Sequence, residues 1–204
     1  MRPFRRKLTS LFMSAVLTAS AIAAVSVTTG APAQAANRCQ TTFGNDTDTS
    51  PYPYSFGPYW WGAKQASAGG TRMVLDVEGP WTFDGANIHI WHWYGGDSQY
   101  WCMASQGYYY NGSRVYKIRN LYTGKCLDID GPSGNLGTRV HQWGCKSYAD
   151  YRSQQWAQEP FGSGYRFRNV FAGGYCLDIR EFGTSDGTPV QIWSCSGADN
   201  QTFF

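Results

Sequence analysis

Three aspartates recur along the chain, each followed at the same distances by a polar and an aromatic side chain. An imidazole or amide stands thirteen residues after each, and a tryptophan fifteen residues after: Asp76, His89, Trp91; Asp128, His141, Trp143; Asp178, Gln191, Trp193. A carboxylate accepts several hydrogen bonds, an amide or imidazole adds others, and an indole offers a flat apolar face. This combination suits a sugar, which presents hydroxyl groups at its edge and C–H groups on its face.

Two further positions keep the same register. A glycine follows each aspartate by nine residues, at Gly85, Gly137 and Gly187. Each unit closes with a glutamine two residues before an aromatic side chain: Gln99 and Trp101, Gln154 and Trp156, Gln201 and Phe203. The aspartates are 52 and 50 residues apart, and one such short unit cannot bury its own apolar face. A closed arrangement of three units is therefore the economical fold, with the closing aromatic residues in its core.

The composition favours short strands. Aromatic residues make up 17% of the chain, charged residues 15%, and 24 residues are glycine. The segments Asn111-Gly112 and Gly162-Ser163-Gly164 suit the positive φ angles of tight hairpins. The pattern predicts an all-β domain of many strands joined by glycine and asparagine turns.

These motifs resemble the ricin-type lectin family, whose hallmark is three repeats carrying Gln-x-Trp. The resemblance covers the chain from about residue 59 to Phe204. It implies an all-β fold, the β-trefoil, with three pseudo-symmetric repeats and roughly twelve strands in a six-stranded barrel capped by hairpins. Residues 36–58, rich in Pro, Ser, Thr and Asp, lie outside it, and we expect a short irregular extension tied down at one point.

The resemblance also implies which residues bind sugar. In that family the aspartate of the Cys-Leu-Asp strand, the glutamine and aromatic residue of the next strand, and the Asn-Gln pair before the last aromatic residue do this work. The third repeat matches in full, with Asp178, Gln191, Trp193, Asn200 and Gln201. We therefore rank this site first and expect the oxygens of Asp178 to face solvent and the sugar.

The other two repeats match in part, with histidine in place of the Gln191 amide and serine in place of Asn200. Their residues are Asp128, His141, Trp143, Gln154 and Ser153 in the second repeat, and Asp76, His89, Trp91, Gln99 and Ser98 in the first. A neutral histidine supplies a single donor. A structural role competes at all three sites, because aspartates commonly accept turn amides and the closing glutamines could bond the backbone inside the barrel.

The repeat also indicates how the six cysteines pair. Two pairs are 19 residues apart at equivalent places of the second and third repeats, which predicts one disulfide within each. The two cysteines left over would join the extension to the end of the first repeat. The expected disulfides are Cys126–Cys145, Cys176–Cys195 and Cys39–Cys102. None of the six forms the close Cys-x-x-Cys pair that structural zinc prefers, so no metal site is expected.

Residues 1–35 have the pattern of a secretory signal peptide, with a basic start, an Ala/Val/Leu-rich run and a small-x-small end at Ala33-Gln34-Ala35. Ordinary secretion and twin-arginine export both remain open. Removing its four cations leaves 13 Lys and Arg against 14 Asp and Glu, so the formal net charge changes from +3 to −1. A near-neutral chain argues against nucleic-acid binding. No later apolar run approaches the roughly 20 residues that span a bilayer, so membrane insertion is not expected.

The sequence thus predicts three segments: a signal peptide at 1–35, an extension at 36–58 and a lectin domain at 59–204. We expect a secreted, metal-independent carbohydrate-binding protein with up to three sites, without cofactor or enzymatic activity, because no catalytic motif stands out. One alternative is a trefoil that binds a protein partner, as a hydrolase inhibitor or toxin subunit; another is a small polysaccharide hydrolase.

The expected sugar binding should depend on pH. It should weaken near about pH 4, where the aspartates become protonated, and near about pH 6 to 7 at any site where a histidine contacts the sugar.

Overall fold

The computed structural model describes residues 38–44, 46, 50, 54, 56–67, 72–131, 134–147 and 152–204; the signal segment expected at 1–35 lies outside them. Within these residues eleven strands form one antiparallel sheet, which confirms the all-β prediction. The strands are β1 (Phe56–Tyr59), β2 (Met73–Val77), β3 (Ile88–His92), β4 (Trp101–Tyr110), β5 (Ser113–Asn120), β6 (Cys126–Ile129), β7 (Val140–Trp143), β8 (Gln155–Phe161), β9 (Gly164–Asn169), β10 (Cys176–Ile179) and β11 (Thr188–Trp193).

The sheet curls into a barrel that the C-terminal residues help to close. Its strands pair in the order β1-β4-β5-β8-β9-β10-β11-β3-β2, and β6 pairs with β5 and β7. Phe203 forms single bridges with both Ala63 and Tyr165, and Gly62 forms one with Val74. The Ala63–Phe203 bridge joins the first repeat to the third.

Three hairpins, β2–β3, β6–β7 and β10–β11, cap the barrel and contact one another in a ring. Each hairpin is bridged to the next by one pair of residues: Asn87 with His141, Arg139 with Gln191, and Thr188 with Ile90. This cyclic set of contacts gives the three-repeat arrangement that the sequence predicts for a β-trefoil. The sites on the three hairpins are therefore held in fixed relative positions.

The closing aromatic residues of the repeats lie in the core, as predicted. Trp101, Trp156 and Phe203 are all fully buried. The indole N–H of Trp101 donates to the carbonyl of Leu75 at 3.1 Å, and that of Trp156 donates to the carbonyl of Leu127 at the same distance. Each of these carbonyls belongs to the residue just before an aspartate of interest, so the core tryptophans fix the backbone on which the site is built.

The described residues of the extension pack against the barrel. Residues 38–43 form a short helix, and Phe43 and Tyr54 are buried in a small apolar cluster of their own. Arg38 forms an ion pair with Asp97 at 2.7 Å, and β1 already begins within the segment. The described residues of the extension therefore contact the barrel at several places and not at one point, because their apolar side chains bury themselves against it.

The three predicted disulfides are present, with sequence separations of 63, 19 and 19 residues: Cys39–Cys102, Cys126–Cys145 and Cys176–Cys195. The first repeat has no cysteines at the equivalent places. There Trp93 packs against Trp60 and Tyr100, with ring centroids 5.5 and 5.3 Å apart. Aromatic packing thus takes the place of a covalent link in that repeat.

Candidate functional site

In every repeat the sheet register brings the predicted residues together. Each aspartate lies directly opposite the imidazole or amide of the next strand: Asp76 with His89, Asp128 with His141, and Asp178 with Gln191. The tryptophan two residues further along that strand lies on the same side, because side chains of a strand alternate between its two faces. The fixed spacing in the sequence is therefore the spacing of one hairpin that carries a whole site.

The carboxylate of the third site is enclosed by amides. Asp178 Oδ1 accepts a hydrogen bond from Gln191 Nε2 at 3.0 Å, and Oδ2 accepts from Asn200 Nδ2 and Gln201 Nε2, both at 2.8 Å. The Asp178 side chain is only 2% exposed. The expectation that its oxygens face solvent is therefore wrong, since a buried carboxylate requires donors around it. Asp178 instead orients three amides at the base of the site.

A cleft of about 630 Å³ lies above this network, and we call it the third cleft; it is lined by Gly137, Asp178, Arg180, Glu181, Phe182, Gln191, Trp193, Ser194, Cys195, Ser196, Ala198, Asn200 and Gln201. The indole of Trp193 is 44% exposed and the ring of Phe182 60% exposed, so both offer apolar faces. The buried Asn200 Oδ1 accepts no hydrogen bond within the described part of the chain.

Backbone strain is concentrated at the rim of the third cleft. Glu181 and Phe182 have φ angles of 53° and 56°, in the left-handed region that side chains other than glycine rarely occupy. Such strain persists only where the surrounding structure imposes it, and it is enriched at binding sites. Here it turns the ring of Phe182 toward the cleft.

The repeated glycines support the tryptophans. Gly137 has a φ of 80°, donates its backbone N–H to Ile192, and would place a β-carbon 3.5 Å from the Trp193 ring. Gly85 and Gly187 stand in the same relation to Trp143 and Trp91, each at 3.9 Å. Each repeat therefore supplies the glycine beneath the indole of the following repeat, which explains why this glycine keeps its register.

Substituting Gly137 by alanine is expected to weaken ligand binding in the third cleft several-fold and to lower the free energy of unfolding by about 1 kcal/mol, because alanine at positive φ is strained. Gly112, in the β4–β5 hairpin, has the same φ of 80° with no atom within 4 Å of a β-carbon. Gly112→Ala is therefore the matched control: urea denaturation should show a similar loss of stability, and ligand titration no loss of binding. Equal binding by the two variants would show that Gly137 serves only its turn.

A lysine side chain distinguishes the second site from the third. Lys146 Nζ lies 2.9 Å from Asp128 Oδ2, which also accepts from Gln154 Nε2 at 3.0 Å, while Asp128 Oδ1 accepts from the backbone of Ile129. We call the cleft of about 500 Å³ above it the second cleft; it is lined by Asp128, Ile129, Asp130, Gly131, His141, Trp143, Lys146, Arg152, Ser153 and Phe171. Its base therefore presents an ammonium group where the third cleft presents amides.

The histidines of the first two sites stack on their tryptophans. His141 lies 5.4 Å from Trp143 between ring centroids, and His89 lies 5.3 Å from Trp91. Burial lowers the pKa of both imidazoles below the ordinary 6.5, and the nearest aspartates, Asp128 and Asp76, oppose this. The response expected near about pH 6 to 7 is therefore moved to lower pH.

A tyrosine occupies the first site. The Tyr94 hydroxyl bonds to Ser98 Oγ at 2.6 Å. Burial raises the pKa of Asp76, and hydrogen bonds from Ser98, Gln99 and Tyr94 oppose that rise. The shallow cleft beside them is lined by Gly79, Pro80, Tyr94, Gly96, Asp97, Ser98 and Tyr122, and not by the predicted Asp76, His89 or Trp91. The structure thus places those three residues together but outside that cleft.

One position that the sequence analysis missed decides how the three sites differ. Eighteen residues after the aspartate stand Tyr94, Lys146 and Ser196 in turn. The backbone N–H of each is bound by the closing glutamine of its repeat: Tyr94 by Gln99, Lys146 by Gln154, and Ser196 by Gln201. Extending the alignment three residues beyond the tryptophan would have found this position, although its effect depends on the side chain that it carries.

The closing glutamines also bond the carboxylates and backbone carbonyls. The Nε2 groups of Gln99, Gln154 and Gln201 donate to the carbonyls of His92, Gly144 and Ser194, at 2.9 to 3.0 Å. Each glutamine therefore ties the end of the second strand of its hairpin to the aspartate on the first. This structural role matches the competing interpretation of the motif.

A family model described as ricin-type beta-trefoil lectin domain-like matches residues 62–143 and 110–193. Among solved structures, the chain is similar to the designed three-fold symmetric protein ThreeFoil, with 34% identity over 70% of this chain and 93% of that one, at a TM-score of 0.60. The comparison with curated proteins gave no significant match.

Two larger proteins contain a similar part. The exo-β-1,3-galactanase 1,3Gal43A from Clostridium thermocellum matches with 28% identity over 71% of this chain and 29% of that one, at a TM-score of 0.61. The hemolytic lectin CEL-III matches with 27% identity over 74% of this chain and 31% of that one, at a TM-score of 0.51. In both cases the similarity covers less than a third of the larger protein.

Proposed function

The chain belongs to the ricin-type β-trefoil lectin domain-like family, and we propose that it is a lectin whose principal sugar site is the third cleft. One observation carries this assignment: a carboxylate, three amides and an exposed indole converge on one open cleft. The Gln191 amide, which Asp178 orients, can bind sugar hydroxyls, and Trp193 can stack on the C–H face of the ring. The name of CEL-III as a lectin agrees with this assignment.

We further propose that binding requires no metal ion. Hydroxyl groups would be bound directly by the Gln191 amide, whereas calcium sites require several oxygen ligands around the ion. Within the described residues no three His, Cys, Asp or Glu side chains group together as metal ligands would. Addition of EDTA should leave the affinity of the third cleft unchanged, and complete loss of binding would contradict this proposal.

Binding rather than catalysis is the activity we assign. A glycosidase requires a carboxylate pair that can reach the glycosidic bond, but Asp178 is buried under amides and the Glu181 side chain, at 82% exposure, is directed into solvent. Incubation with β-1,3-galactan should therefore release no reducing sugar. Any sustained release would favour the hydrolase alternative.

The test is a titration of the folded chain with D-galactose, D-xylose and D-mannose, followed by the NMR signal of the Trp193 indole N–H. At least one of these sugars should shift that signal with a dissociation constant of about 1 mM, as expected for a single shallow site. Higher affinity for a polysaccharide would arise from several sites that bind one polymer. Trp193→Ala should lose the response, whereas Trp81→Ala, an exposed tryptophan outside the third cleft, should keep it.

The pH dependence follows from Asp178. Burial raises its pKa above the ordinary 3.8, and the hydrogen bonds from Gln201, Gln191 and Asn200 oppose that rise. Protonation on acidification therefore begins at higher pH than for an ordinary aspartate, and the proton removes an acceptor that orients the amides. When the pH is lowered, the affinity of the third cleft for sugar is expected to begin to fall at a pH above 3.8, and it should recover on neutralisation. A loss confined to pH below 3.8 would contradict the raised pKa.

We propose that the protein acts outside the cell. Three disulfides are typical of an oxidising compartment, which supports this proposal. Mass spectrometry of the protein recovered from culture medium should show an N-terminus close to residue 36. Recovery only inside cells, with residues 1–35 attached, would contradict secretion.

A further inference from the structure

We infer that the second cleft binds a sugar unit that carries an anionic group, a carboxylate or a sulfate, and so differs in specificity from the third. This inference rests on the proposed lectin function. It is carried by Lys146, which lies at the base of the second cleft where Ser196 stands in the third. The two clefts otherwise share the aspartate, the closing glutamine and an exposed tryptophan.

The charges around the second cleft favour an anion. Lys146 and Arg152 line it together with Asp128 and Asp130. Arg139 neutralises Asp130 from outside the cleft, through a contact of 2.7 Å. When Arg139 is counted with the lining, the described residues around this cleft carry one positive charge in excess. His141 adds no charge at neutral pH, because burial lowers the pKa of its imidazole.

The third cleft has the opposite balance. Its lining contains Asp178, Arg180 and Glu181, of which two are anions and one is a cation. An anionic sugar would be repelled there, and a neutral sugar would be preferred. Counted over their described lining residues alone, the second cleft is neutral and the third carries one negative charge, although both are built on equivalent hairpins.

The position of Lys146 is fixed from two sides. Its backbone N–H donates to Gln154 Oε1 at 2.9 Å, and its carbonyl accepts from the buried Lys117 Nζ at 2.6 Å. Its ammonium lies 2.9 Å from Asp128 Oδ2 and 6.0 Å from the centre of the Trp143 ring. The cation is therefore held beside the indole on which a sugar ring would stack, within reach of a substituent on that ring.

The ion pair with Asp128 is compatible with a ligand. Asp128 is fully buried, whereas the Lys146 side chain is 25% exposed, so the cation is the more accessible partner of the pair. An ammonium group has three N–H donors and can bridge two anions. A ligand carboxylate bound there would form a charge-assisted hydrogen bond, which is stronger than a neutral one.

The experiment is an NMR titration of the folded full domain with D-galacturonic acid, D-galactose 6-sulfate and D-galactose, followed at the indole N–H signals of Trp143 and Trp193. We expect one or both acidic sugars to shift Trp143 at concentrations that leave Trp193 unchanged, and increasing salt to weaken this effect. The carboxylate and sulfate arms identify which anion is preferred.

Lys146→Gln is expected to weaken binding of the acidic sugar at Trp143 about tenfold, and Lys146→Arg to restore it, while responses at Trp193 stay unchanged in both variants. The inference is overturned if neither acidic sugar shifts Trp143 more than D-galactose does, or if Lys146→Gln binds as the parent does. If no neutral sugar shifted the Trp193 signal, the proposed function of the third cleft would be contradicted instead, regardless of the response of the Trp143 signal.

Discussion

Replacing Asp178 by alanine is expected to abolish sugar binding in the third cleft and to lower the free energy of unfolding by about 3 kcal/mol. The carboxylate accepts from Gln191, Asn200 and Gln201, and all three distances are 3.0 Å or less. Its removal leaves amide donors without a partner in a buried place, which costs more than the bonds themselves contribute. The same amides then lose the orientation that the ligand requires.

Urea denaturation and titration of the third cleft measure the two effects separately. Asp199→Ala is the matched control, because this neighbouring carboxylate forms an exposed ion pair with Lys64 at 2.8 Å and is outside the buried network. Exposed pairs contribute little, so the control should retain both stability and binding. If the Asp178→Ala variant were as stable as the control, the hydrogen-bond network around Asp178 would not stabilise the β10–β11 hairpin.

Removing the disulfide of the extension is expected to destabilise the fold most among the three. The Cys39–Cys102 link closes a separation of 63 residues, against 19 for each of the other two. In the chain-entropy model the longer loop contributes about 4 kcal/mol and each shorter loop about 3 kcal/mol. The link also holds the helix at 38–43 against β4.

Three double cysteine-to-alanine variants test this by urea denaturation. The two repeat variants serve as controls for each other, because their loops have equal separation and equivalent positions. They should lose similar free energies, and the Cys39→Ala/Cys102→Ala variant should lose more. A smaller loss in that variant would mean that the Phe43 and Tyr54 cluster and the Arg38–Asp97 ion pair hold the extension without the covalent link.

Much of the fold follows from the sequence because the repeat imposes a register. Asp178 and Gln191 are thirteen residues apart and lie opposite each other in the β10–β11 hairpin, and the same count holds in the other repeats. A constant spacing across a hairpin fixes which side chains face each other, and period-two alternation places Trp193 on the same side. The equal separations within two cysteine pairs likewise identified the disulfides.

The contacts of the extension with the barrel were not predicted, because they do not come from a repeat. Its short helix and its buried Phe43 and Tyr54 depend on apolar surface offered by Cys102, Ala104 and Leu121 of the barrel. Composition rich in turn residues describes the local preference of such a segment and says nothing of the surface against which it folds. Tertiary burial overrode that preference.

The sequence by itself determined the three-unit architecture, the residues gathered on each hairpin and the disulfides. Only the tertiary structure decided how each site is exposed and charged: Asp178 is buried under amides, Tyr94 lies beside Asp76, and Lys146 pairs with Asp128. The reason is physical. Spacing along a strand sets which side chains meet, but burial and charge depend on how the residues that follow each hairpin fold back over it, and these residues differ between repeats.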